Sequence, residues 1–179
     1  MYKKLAIILL AVNLVVAGLF INRHMQNLNI KRDLLGQYIV AQHNISTYLN
    51  DAAGYYRDGN TEDFVINLHK TAGEFQAVDY IISPGSLLGQ HTEASGLMYT
   101  IHSSQKDFVS GSLEKVVTEE LSEEDSIRII SFAAAMKHYA DLLDYYEIIP
   151  GSRPDQIVSR IDEILGQVSQ AYGGSEFER

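Results

Sequence analysis

The chain has 179 residues, enough for one domain with an appendage, and a formal net charge of −9. Apart from Lys3 and Lys4 it holds 12 Lys and Arg against 23 Asp and Glu; no basic stripe offsets this, so nucleic acid is not an expected partner. The absence of cysteine excludes disulfides, thiolate metal sites, a cysteine nucleophile and a lipoprotein attachment residue.

The first element is a block of 17 residues, Leu5 to Ile21, in which Asn13 alone is strongly polar. At about 1.5 Å per residue it makes about 26 Å of helix, just short of a bilayer's hydrocarbon thickness of about 30 Å. Tyr2 and Asn22 can complete the span at the interfaces. A cleaved signal peptide would follow Lys3-Lys4 with a shorter apolar region and small residues at the cut. Val16-Ala17-Gly18 is a poor version of such a site, and Leu19-Phe20-Ile21 carry the apolar block past it. An uncleaved anchor over residues 1–23 is therefore expected, with membrane lipid as its partner. Lys3, Lys4 and the free amine stand compactly on one side of the span, with Arg23, Lys31 and Arg32 on the other. That balance leans to the N-terminus inside and the body outside the cytoplasm. Asn13 reads as one tolerated polar residue; its alternative is a hydrogen bond to a neighbouring membrane helix. Self-association stays open.

No proline falls between residue 1 and Ser83, so the anchor is expected to run on as one helix into the body. Leu34, Tyr38, Ala41, Ile45, Tyr48, Ala52 and Tyr55 alternate steps of four and three, a coiled-coil-like packing seam. Arg57-Asp58-Gly59-Asn60 closes this helix, with Gly59 suited to a left-handed position. Asn60 or Thr61 caps a second helix with the buried stripe Phe64, Leu68, Ala72, Phe75, Val78 and Ile82, broken at Ser83-Pro84-Gly85-Ser86. A third, less regular helix carries Leu97, Ile101, Phe108, Val116 and Val117 among serines and glycine. Ser122-Glu123-Glu124-Asp125 resembles a capping box and opens a fourth helix. Its inner face is Ile129, Phe132, Ala133, Met136, Tyr139, Ala140, Leu143 and Tyr146, running to Pro150. A short fifth helix follows, with Ile157, Ile161, Ile164 and Val168, and Gly173-Gly174 finishes it.

No alternating polar and apolar run argues for a strand. The expected fold is all-α: an N-terminal transmembrane helix continuing into an antiparallel bundle of about four long helices plus a short C-terminal helix. The expected organisation is anchor over 1–23, bundle over 24–172 and polar tail over 173–179.

Chemistry-bearing spacings are scarce. Six histidines invite a metal, yet Glu-x-x-His and His-Glu-x-x-His are both absent. His138, Asp141, Asp144 and Glu147 step by three and drift about 60° per step around a helix, so they cannot converge on one ion. His138 with Asp141 could supply half of an interhelical site; a solvated polar face is the favoured reading. Glu119, Glu120, Glu123, Glu124 and Asp125 gather at a helix junction and read as dipole-stabilising carboxylates. Tyr55-Tyr56 and Tyr145-Tyr146 sit at helix ends, finishing the core or lining a cleft. Neither Gly-x-Ser-x-Gly nor a phosphate loop occurs, and Asn44-Ile45-Ser46 inside a helix reads as a chance glycosylation match. No catalytic activity, catalytic residue, metal or cofactor is inferred. The leading expectation is a membrane-anchored extracytoplasmic bundle acting as an accessory or scaffold by contact with a protein in the envelope. The alternative is a ligand-sensing bundle that signals through a separate membrane partner, and a tyrosine-lined cavity between helices would favour it.

Overall fold

The computed structural model describes residues 2–83 and 95–172, with side chains described over 15–83 and 98–172. Within them the chain is all helical: α1 (Tyr2–Arg57), α2 (Thr61–Ile82), α3 (Ser95–Val117), α4 (Glu123–Leu142), the single turn α5 (Tyr145–Ile148) and α6 (Pro154–Tyr172). The sequence explains most of the boundaries. Gly59 takes φ 73° at the end of α1, while Gly59 N–H donates to the Tyr56 carbonyl and Asn60 N–H to that of Tyr55. This crossed pair is a Schellman stop, which favours glycine because the left-handed conformation crowds a Cβ. Asn60 then caps α2 by accepting the Asp63 N–H. Ser122 and Asp125 complete a reciprocal capping box at the start of α4. Pro154 opens α6, where its missing N–H costs nothing, and Gln156 reaches back to accept the Arg153 N–H.

α1 is 56 residues long, so it extends about 84 Å. Residues 15–27 are exposed along its whole circumference, and the bundle begins near Leu34. The expected span over 5–21 falls within α1, but the side chains of residues 5–14 lie outside the described residues. Among the described residues no helix is long and apolar enough to cross a membrane. Pro84-Gly85-Ser86, the side chain of Leu97 and the tail from Gly173-Gly174 onward also lie outside them.

α1 packs against α2 and α4, α2 against α3, and α6 against α4, α1 and α3. Neighbours along the chain run antiparallel. Asn44 meets Glu74 and Tyr56 meets Phe64 across α1 and α2, while Phe108 meets Phe132 and Lys115 meets Asp125 across α3 and α4. The core is one apolar cluster drawing on every helix.

Three expectations are corrected. α6 spans 19 residues against 20 for α4, so the bundle has five long helices rather than four and a short closing one. Ile157, Val158, Ile161, Ile164, Leu165 and Val168 of α6 are all buried, which makes α6 an interior wall. α4 stops at Leu142 instead of running to Pro150, because Asp144 caps a new turn by accepting the Tyr146 and Glu147 N–H groups. Tyr146, expected on the inner face, is therefore 83% exposed. Val117 is likewise 71% exposed, lying on the last turn of α3 where the chain leaves the core.

The seam expected along α1 is present but too narrow. Tyr38, Ala41, Ile45 and Ala52 are buried, and so are Leu35, Ile39, Gln42, Ser46, Leu49 and Ala53. Contact with α2 on one flank and with α4 and α6 on the other widens the covered arc beyond a single stripe.

Candidate functional site

An open groove of about 1330 Å³ lies over the first bundle turns of α1. Asp33, Leu34, Gly36, Gln37, Val40, Ala41, His43 and Asn44 form its floor. Glu74, Ala77, Tyr80 and Ile81 of α2 make one wall; Asp141, Asp144, Tyr145 and Tyr146 at the α4–α5 break make the other.

The break in α4 builds the second wall. A helix continued past Leu142 would keep presenting side chains in the α4 register; the turn at Asp144 swings Tyr145 and Tyr146 outward over α1. Two contacts fix that turn. The His43 ring donates from Nε2 to the Leu143 carbonyl at 2.9 Å, satisfying an acceptor freed by the end of α4. Tyr145 lies directly on Gly36, where a Cβ would stand 2.9 Å from the ring's Cε2. Only glycine at position 36 leaves the ring in that seat. Tyr145 and Tyr146 then meet edge to face with centroids 5.6 Å apart, a favoured aromatic geometry.

The chemistry of the lining is one-sided. Asp33, Glu74, Asp141 and Asp144 contribute four carboxylates, and no lysine or arginine lines the groove. Glu74 accepts from the Asn44 amide at 3.2 Å and Asp144 is used as a cap, whereas Asp33 and Asp141 form no ion pair among the described residues. Tyr80 on one wall and Tyr146 on the other are 80% and 83% exposed, and Val40 between them is 51% exposed.

The other candidates from sequence scatter. His138 turns away from the groove, its ring 5.8 Å from that of Tyr172, while Asp141 and Asp144 face the groove. Among the described residues no group of three His, Asp or Glu side chains could hold a metal ion. In the junction cluster, Asp125 pairs with Lys115 at 2.5 Å, and Lys115 and Ser122 hold its carboxyl well below the usual range. Tyr56 packs on Phe64 at 5.3 Å beside a shallow cleft of about 540 Å³ at the opposite end of the bundle. Tyr55 is half-buried against the core.

Sequence reasoning missed a polar layer inside the bundle. The hydroxyls of Tyr38 and Tyr139 meet at 2.8 Å, both fully buried, and burial pushes both phenols well above their ordinary value. His102, 1% exposed on α3, bonds through Nε2 to Asp79 on α2 at 2.9 Å, and Lys106 pairs with the other oxygen of the same carboxylate. Burial lowers the imidazole's affinity for a proton more than Asp79 raises it. These residues are side chains of inward positions on helices whose apolar neighbours masked them. Comparison with protein-family models, curated proteins and solved structures gave no match for this chain.

Proposed function

We propose that this chain is a membrane-tethered helical bundle that acts by protein–protein contact, with the groove over α1 as its contact surface. The carrying observation is that groove, open and flanked by Tyr80 and Tyr146 side chains left in solvent. Large exposed aromatics around a concave floor are the composition of protein interfaces. The tether rests on the sequence of residues 5–21, an apolar block at the head of a helix that continues unbroken to Arg57. Asp33 lies 12 residues past Ile21, so the groove stands about 18 Å from the end of the apolar block. A partner reaching it works close to the bilayer, on the extracytoplasmic side in this reading.

The alternative, a ligand-sensing bundle, draws support from the same tyrosines and convergent polar groups. Size weighs against it. The groove's roughly 1330 Å³ exceeds the ~300–1,000 Å³ usual for small-molecule sites, and it is open along its length.

Photo-crosslinking in cells tests the reading. A crosslinker placed at Tyr80 or Tyr146 should give one discrete adduct, and one placed at Ile127, also exposed but on α4 near its start, should not. Equal or absent adducts from all three positions would remove the groove as the contact surface. Protease accessibility in spheroplasts, with N-terminal sequencing, tests the tether and its side.

A further inference from the structure

From the groove's charge and shape we infer that its occupant is a basic helical segment of another protein, about three turns long. This rests on the protein–protein reading above and names the partner's chemistry. Charge complementarity decides the class. Asp33, Asp141, Asp144 and Glu74 stand around the floor with no cation among them, so an approaching Lys or Arg meets only attraction. The unpaired Asp33 and Asp141 come from different helices, one in the floor on α1 and one in the wall on α4, so positive charge is drawn along the groove rather than to a point.

Length decides the shape. The floor runs from Asp33 to Asn44, which at 1.5 Å per residue is about 17 Å, the length of about three turns of a partner helix. Val40, half exposed, with Leu34 beside it in the lining, offers an apolar strip on the floor for the partner's apolar stripe. Tyr80 and Tyr146 on the two walls can close over Lys or Arg stems, with the ring faces open to the cation. An anionic lipid surface would be repelled by the same carboxylates, and a short polyamine would leave the apolar strip and one wall untouched.

The test uses the full chain in zwitterionic nanodiscs. The probe is a fluorescent 14-residue amphipathic peptide with lysines and arginines on its polar face; a charge-reversed twin, spermine and anionic vesicles are the comparators. The basic peptide should bind, more weakly as salt rises, and the others should not. Asp33→Asn and Asp141→Asn should each weaken binding about threefold, and Tyr146→Ala about tenfold, with the melting temperature unchanged. Equal binding by the charge-reversed peptide, no binding by the basic one, or full affinity in the double Asn variant would overturn the inference. Spermine competing at full effect without the peptide's apolar face would also overturn it, in favour of a small polycation. A discrete crosslink from Tyr146 to a segment lacking basic residues would sink this inference while leaving the protein–protein reading standing.

Discussion

Two buried tyrosines show what a single hydroxyl does in this core. Tyr38 of α1 and Tyr139 of α4 hydrogen-bond to each other through their hydroxyls, in a site closed to water. Removing one hydroxyl leaves the other buried without a partner, which costs about 1–3 kcal/mol, whereas removing both leaves an apolar contact of nearly the same shape. Tyr139→Phe and Tyr38→Phe should each lower stability by about that amount, and the double variant should recover most of the loss. Urea denaturation of the four proteins reads this as a coupling energy; additive losses would show that the hydroxyls do not bond. His102 gives a pH-dependent counterpart. Its folded-state proton affinity is lowered, chiefly by burial. As pH falls below the ordinary value near 6.5, the unfolded chain takes up a proton that the folded chain refuses. Stability is therefore fully present above pH 6.5 and declines as pH falls from there toward the lowered native value. The melting temperature should drop across that window, and His102→Asn should flatten the drop. A flat wild-type profile between pH 7 and 5 would mean that the imidazole charges freely in the folded state.

At the scale of elements, two helices end by the same device with different residues. α3 closes as α1 does, with Glu119 N–H donating to the Val116 carbonyl and Glu120 N–H to that of Lys115. Position 119 plays the role of Gly59 but carries a side chain at φ 60°. A non-glycine residue there costs about 1 kcal/mol. Glu119→Gly should raise the stability read from urea denaturation by about 0.5–1 kcal/mol, and Glu119→Val should lower it; no change in either would place the residue outside the left-handed region. The contrast also marks what can be read from a sequence. Gly59 announces its stop and Asn60 and Ser122 announce their starts, since those residue types act through their own backbone or side chain. At the end of α3 the sequence showed the junction but not the stop itself, because a glutamate in the left-handed region leaves no compositional trace. The stop at Leu142 was hidden for a related reason: Asp144 looks like one more carboxylate until its cap is seen. The inner faces of α2, α4 and α6 were legible in outline, whereas α1 meets α2, α4 and α6 together and its covered arc is wider than the single stripe in its sequence. The groove was illegible as a whole. Its walls come from residues near 36, 80 and 145, and only the turn at Asp144 brings the last of them over Gly36.

For the molecule as a whole, the decisive element is the last one. α6 packs against α4, α1 and α3 together. Its six buried aliphatic side chains are each worth about 1.5–3 kcal/mol relative to exposure. Their total lies above about 9 kcal/mol, comparable with the ~5–15 kcal/mol of net stability that a domain of this size retains. Without α6 the faces of α1, α3 and α4 packed against it would meet water, and the polar pair Tyr38–Tyr139, close enough to feel the Asp162 charge on α6, would become wet. A chain truncated after Gly151 is thus expected to lose cooperative unfolding and to bind a hydrophobic dye, rather than to persist as a smaller bundle. Single substitutions should grade the same effect: Ile161→Ala or Ile164→Ala should cost about 2–5 kcal/mol, while Arg160→Ala, exposed and paired with Glu163 at 2.6 Å, should cost less than about 1 kcal/mol. A truncated chain with an unchanged melting transition would mean that α6 lies on the bundle without holding it, and the groove would then owe its walls to α1, α2 and α4 alone.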